Sequence, residues 1–263
     1  MRMNAGRTLM ALAIASLTSA AGAAEIRDQS PLPLSGQLIW NGFSDGSTAV
    51  NVTKSDSPAV SYAGSGGQFS GSFYTDGTAS ADEFFRFFCI DLFQYAITGP
   101  SSYTESLLSN NALARLYDIA YPNKLTEDFY DAGQTNFGAF GSNVWSSAFQ
   151  LSVWEMIYET GGTYGLGAGG TFWSNTGANA SGNDAQKAVY QANAWLTQLN
   201  SGAGSPSGWT LYKFTSDTRQ DYVSATYRAG GGTPQGNVPE PGSLSLLGLG
   251  LGAFAFNRRK RTR

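Results

Sequence analysis

The sequence has no histidine, one cysteine and few charges: of 263 residues, 16 are Lys or Arg and 19 are Asp or Glu. Each scarcity excludes a class of chemistry. Without histidine, Ser-His-Asp and Cys-His catalysis are ruled out in their usual forms. Zinc, copper and haem sites lose their commonest ligand, and one cysteine cannot replace it. The expectation is therefore no cofactor and no metal. The lone Cys89 has no partner for an internal disulfide. In an oxidising exterior an unpaired thiol is a liability unless it is buried or chemically committed.

Both ends of the chain carry address signals. Arg2 and Arg7 precede an apolar core from Leu9 to Leu17, followed by small residues through Ala24. This pattern is a secretory signal peptide over residues 1–24. Ala21-Gly22-Ala23 supplies the small-x-small cleavage pattern, so the mature chain is expected to begin at Ala24 or Glu25. At the other end stands Val238-Pro239-Glu240-Pro241, then 16 residues of mostly apolar chain, Gly242 to Asn257, then Arg258-Arg259-Lys260-Arg261-Thr262-Arg263. A full span needs ~20 apolar residues, so this one is marginal as an anchor. Gly248, Gly250 and Gly252 weaken it further as a helix. By the positive-inside rule the basic stop stays in the cytoplasm, which leaves the Val-Pro-Glu-Pro face outside and open to a processing enzyme. The tail resembles the PEP-CTERM signal of Gram-negative surface proteins. That resemblance implies a membrane-embedded exosortase as processing partner, transient inner-membrane anchoring, and a final place on the outer surface or in the extracellular matrix.

Between the two signals lie a domain over residues 25–228, a flexible linker over 229–237 and then the sorting segment 238–263. Without the signal and the tail, nine basic and eighteen acidic residues remain, a net charge of about −9. Nucleic-acid binding needs a basic footprint, so no nucleic-acid partner is expected. Short strands are expected at Gln37–Phe43, Ala49–Thr53, Gln68–Tyr74 and Glu83–Ile90. A helix is expected from Thr104 to about Tyr121, with Leu108, Ala112, Leu116 and Ile119 at helical spacing, ended by Pro122. Asn143–Glu159 is the strongest helix pattern, stopped by Gly161-Gly162. A glycine-rich loop spans Tyr164 to Gly182. Asn183 or Asp184 caps a further helix running to about Leu199. Trp209–Phe214 and Tyr222–Tyr227 read as closing strands. Strands, helices and strands in that order give an α+β fold: a β-rich core, sandwich or barrel-like, with an inserted helical section.

Two residues carry the chemical interest. On an extended strand, Phe85, Phe87 and Cys89 share a face. On the strongest helix, Gln150 shares a face with Val153, Trp154 and Ile157. A buried amide must find partners for one oxygen and two N–H donors, and leaving them unpaired costs roughly 1–3 kcal/mol. Either backbone groups satisfy it, or Cys89 has displaced its nitrogen. Phe88-Cys89-Ile90-Asp91 and Phe149-Gln150-Leu151-Ser152-Val153-Trp154 resemble the two signature motifs of bacterial surface thioester domains; Ala112–Pro122 resembles the segment often found between them. The resemblance implies a thioester between Cys89 and Gln150, shielded by Phe85, Phe87 and Trp154 or their neighbours; Asp91, two residues on, is a candidate for tuning the site by hydrogen bonding. It implies attack by an amine on a partner surface or matrix component and a single-use reaction rather than turnover. The rival expectation is a non-covalent exopolysaccharide or biofilm matrix protein, with Trp173, Trp195 and Trp209 as stacking candidates. A glycosidase would need two carboxylates facing each other across a substrate. The adjacent pairs Asp82-Glu83 and Glu127-Asp128 do not indicate one. Asp45-Gly46 and Asp76-Gly77 are turn signals before they are calcium ligands.

Overall fold

The computed structural model describes residues 32–75, 83–96, 99–121 and 140–227. The signal peptide, the linker and the sorting segment lie outside those residues. So do Asp76-Gly77, Asp82, Pro122 and Glu127-Asp128.

Among the described residues, seven strands and three helices follow in the order β1 (Leu34–Lys54), β2 (Val60–Tyr74), β3 (Glu83–Cys89), β4 (Ser101–Leu107), α1 (Asn111–Ala120), α2 (Ser142–Tyr158), β5 (Phe172–Ser174), α3 (Asp184–Asn200), β6 (Trp209–Thr215) and β7 (Tyr222–Tyr227). The sheet order is β2-β3-β7-β6-β4-β1-β5, and β1 also pairs with β2. Every pairing is antiparallel. Six strands therefore close into a ring, which removes exposed edges. All three helices and β5 are inserted between β4 and β6, as the strand–helix–strand reading anticipates.

β1 and β2 are long enough to leave the ring. Their ring portions meet β4 through Leu34–Leu38 and β3 through Phe69–Phe73. Beyond Ser47↔Gly67 they continue as a two-stranded ribbon to Lys54↔Val60, and β5 adds to it at Val52–Lys54. The two strands expected at Gln37–Phe43 and Ala49–Thr53 are thus one strand. The register shifts between Trp40 and Gly42 and between Phe43 and Ser47, so bulges absorb the irregular stretch. Gly42 and Gly46 make this possible, with φ of 112° and 80°, values that favour glycine.

One expected helix is too long at its start by seven residues, about two turns. Thr104–Leu107 belongs to β4, paired with both β1 and β6. The helix starts only at Asn111, because the Asn110 side chain accepts a hydrogen bond from the Leu113 N–H at 2.9 Å and sets the N-cap there. The short β5 falls inside the stretch expected to be a glycine-rich loop. At α3 the Asn183 cap holds, completed by a reciprocal Gln186 bond in a capping box.

The second helix sits at the centre. All residues from Val144 to Met156 are buried, so it has no solvent face. A helix buried on every side is a core element, not an amphipathic cover. Its serines are satisfied by main-chain groups. The Ser146 hydroxyl donates to Gly46 O at 2.7 Å and the Ser147 hydroxyl to Gly66 O at 2.6 Å, while Thr48 N–H donates to Ser147 Oγ at 2.8 Å. These bonds dock the start of α2 where the ribbon leaves the ring.

Candidate functional site

Cys89 is the last residue of β3. Along an antiparallel strand, alternate residues turn their N–H and C=O toward alternate neighbours. On one side, Phe88 and Cys89 lie opposite Val223 and Tyr222 of β7, and Ile90 N–H donates to Asp221 O at 2.9 Å. On the other side, β2 last pairs at Phe69↔Phe87. Two residues further on, the Gln150 side chain takes the place of a strand partner. Cys89 N–H donates to Gln150 Oε1 at 2.9 Å, and Gln150 Nε2 donates to Cys89 O at 2.8 Å. The fold thus brings together two residues 61 apart in sequence. Gln150 is 0% exposed and Cys89 1%.

The sulfur has its own surroundings. The Cys89 thiol donates to Asp91 O at 2.9 Å, and the Trp154 indole Nε1–H points at the sulfur from 3.4 Å. Asp91 therefore meets the thiol through its main chain. Its carboxylate Oδ1 instead accepts the Phe93 N–H at 2.8 Å. Burial pushes the Cys89 thiol up to about 12. Hydrogen bonds with Trp154, the Asp91 backbone and Gln220 pull it the other way, and the Asp91 charge adds to the rise.

The turn after β3 is clamped by two residues that sequence reasoning missed. The Tyr158 hydroxyl donates to Ile90 O at 3.0 Å and accepts the Leu92 N–H at 2.9 Å, straddling Asp91. Gln220 Nε2 donates to Asp91 O at 2.9 Å, and Tyr103 Oη donates to Gln220 O at 3.0 Å. Tyr158 had a findable signal, since it follows Trp154 by one turn on the same helix. Gln220 lies in a turn far away in sequence and carries none.

Aromatic rings pack around these residues. Tyr62 meets the Trp154 ring edge-on at 5.6 Å between centroids, Phe87 packs on Tyr222 at 4.6 Å, and Phe88 on Phe149 at 4.6 Å. The side chain of Phe85 lies outside the described residues. Next to Trp154 stands a second buried polar group. Glu155 accepts the Gly165 N–H on Oε1 at 2.6 Å, while Oε2 has no partner among the described residues. Burial raises its pKa to about 8, against the lowering effect of the Gly165 N–H and with a further rise from Glu159.

The other candidates fall elsewhere. Trp195 is core, 6% exposed, and Trp209 packs on Tyr117, Tyr121 and Tyr227. Trp173 is half-buried, with its indole N–H on Asn175 Oδ1 at 3.0 Å. Asp45 forms an ion pair with Arg86 at 2.9 Å.

Residues 237–261 match the PEP-CTERM protein-sorting motif. The match covers Val238–Pro241, the apolar stretch and the basic stop through Arg261. The chain thus carries the signal of exported proteins that exosortase sorts to the cell surface, and exosortase is its processing partner. Among the described residues no helix is long and apolar enough to cross a membrane. Neither a curated protein nor a solved structure matches the chain.

Proposed function

We propose that this exported protein carries an internal thioester between Cys89 and Gln150, and that the bond attaches it covalently to an amine on a partner surface or matrix component. The observation that carries the reading is that the fold seats the Gln150 side chain on Cys89; there the main chain of Cys89 satisfies both the oxygen and the nitrogen of the amide, so the backbone pairing that the sequence left open is the state from which the bond would form. The bonding pattern holds the side-chain carbonyl at the residue that bears the sole sulfur.

The chemistry balances without a co-reactant. Cys89 Sγ attacks Gln150 Cδ, an S–C bond forms and the C–N bond breaks. The thiol proton leaves on the nitrogen as ammonia. Cys89 N–H, already donating to Oε1, stabilises the negative charge that gathers on that oxygen. With the thiol pushed up to about 12, thiolate is scarce. The reaction relies on held proximity, which can supply ~7–11 kcal/mol of a barrier. In the second step an amine attacks Cδ, an N–C bond forms, the C–S bond breaks and the amine proton ends on sulfur. Gln150 is then amide-linked to the partner and Cys89 is a free thiol. Nothing regenerates the starting state, so the protein acts once and is not a turnover enzyme. A covalent link also escapes the ceiling on non-covalent affinity, roughly −18 to −21 kcal/mol.

Intact mass of the purified mature protein tests the reading. The expected chain is lighter by one ammonia, and Cys89→Ala or Gln150→Ala restores the full mass. A wild-type chain at full mass with a titratable thiol sinks the proposal.

A second reading, reversible retention of a neutral polysaccharide, draws support from a groove of about 460 Å³ along the first residues of β4. Ser35, Gln37, Ser102, Thr104, Ser216 and Asp217 help line it with hydroxyl, amide and carboxylate groups and no cation. Polysaccharide binding by the Cys89→Ala protein favours this reading; loss of all retention in that variant removes it.

A further inference from the structure

We infer that Trp154 and Gln220 form a two-donor cradle for the Cys89 sulfur, and that they stabilise it as the leaving thiolate when an amine opens the bond. The inference rests on the thioester reading above.

Opening the bond places negative charge on a sulfur that is 1% exposed. Water cannot solvate it there, and an isolated buried anion is costly. The fold supplies donors instead. The Trp154 indole N–H lies 3.4 Å from Sγ, and its ring is held by full burial and by the edge of Tyr62. The second donor follows from a shared acceptor. Cys89 Sγ and Gln220 Nε2 both donate to Asp91 O, each at 2.9 Å, so the sulfur and the amide nitrogen sit side by side on one carbonyl. Gln220 has a second N–H beyond the one that Asp91 uses.

Gln220 is positioned for this task. It is 7% exposed, its backbone oxygen is fixed by Tyr103 Oη at 3.0 Å, and it sits in the turn between β6 and β7, next to the strand that pairs with Cys89. In the closed state the sulfur carries no hydrogen. Asp91 O then keeps the Gln220 N–H as its donor, so the amide stays in place to receive the charge. Its Oε1 is buried without a partner among the described residues. A head group kept there at the expense of an unpaired acceptor is one whose N–H groups are needed.

The test uses the mature protein and methylamine, followed by intact mass. Wild type is first shown to be lighter by one ammonia. The rates of opening by methylamine and by water are then measured for Trp154→Phe, Gln220→Leu and Gln220→Asn, with melting temperatures alongside. Each lost donor is expected to slow both reactions roughly 10- to 100-fold, the scale of one hydrogen bond to a charged group. Gln220→Asn keeps the amide at shorter reach and recovers part of the rate. A purely structural role gives the opposite sign, because a loosened site admits water and speeds hydrolysis. A variant that melts like wild type yet never loses ammonia also supports the cradle, because closure passes through the same thiolate. If the leucine variant misfolds, Trp154→Phe and Gln220→Asn carry the test. Unchanged or faster opening in those variants overturns the cradle and leaves the thioester standing. A wild-type chain at full mass overturns both.

Discussion

If the proposed thioester between Cys89 and Gln150 forms, opening it should cost the folded chain about 4 kcal/mol. The two residues are 61 apart, so the bond closes a loop of that length in the unfolded chain. In the chain-entropy treatment, cross-links closing about 15 and about 100 residues stabilise by ~3 and ~4.7 kcal/mol, and this loop lies toward the upper value. The native state itself changes little on opening. The ring of strands, the serine anchors of α2 and the Tyr158 clamp do not involve the bond. At ~2–4 °C per kcal/mol for a domain of this size, the melting temperature should fall by roughly 8–16 °C. The clean comparison is one protein in two states: as purified, and after treatment with methylamine, each verified by mass. Urea unfolding followed by tryptophan fluorescence reads both midpoint and slope. The closed chain should also show the smaller slope, since a cross-linked unfolded chain exposes less surface. A verified closed sample and a verified opened sample with the same midpoint and slope would refute the reasoning.

In a Cys89→Ser background, where no thioester can persist, Gln150→Leu should cost a further ~2–6 kcal/mol, because the N–H and C=O of residue 89 lose their partners at a buried site; chemical denaturation measures it. Glu155 has its folded pKa raised to about 8 from an ordinary 4.5, so the folded state holds the proton more tightly than the unfolded state. Its contribution is complete below about pH 4.5 and is lost as pH rises toward 8, and Glu155→Gln should flatten that part of the stability–pH curve. Glu240→Ala should leave the exported protein with its Arg263 end intact, whereas wild type loses the tail; mass of the secreted material decides it.

The elements most legible from sequence are those whose apolar pattern is decided locally. The Phe-rich run into Cys89 reads as a strand and is one, and Asn143–Glu159 reads as a helix within one residue at each end. The misreadings have physical causes. Helical spacing in Leu108–Ile119 extends backward into Thr104–Leu107 by coincidence, and only tertiary pairing on both sides of β4 overrides it. Within α2, the Ser146, Ser147 and Ser152 hydroxyls reach main-chain oxygens, which lets Val144–Met156 be buried on every side, a burial that the apolar pattern alone does not announce. At the candidate site, Cys89 and Gln150 stand out because one is the lone thiol and the other an amide among apolar neighbours. Gln220 could not be found this way. Its role depends on a turn that folding carries to Asp91 from 129 residues away.

The position of β7 bears on how the molecule withstands pulling. The chain runs from this strand toward the sorting segment. β7 is flanked on both sides, by β6 along Trp209–Phe214 and by β3 at Phe88 and Cys89. Tension applied at the C-terminal end of the domain therefore enters through an interior strand, where two rows of rungs share the load, and reaches residue 89 after crossing a single strand boundary. A protein built this way places its mechanical input beside its lone sulfur.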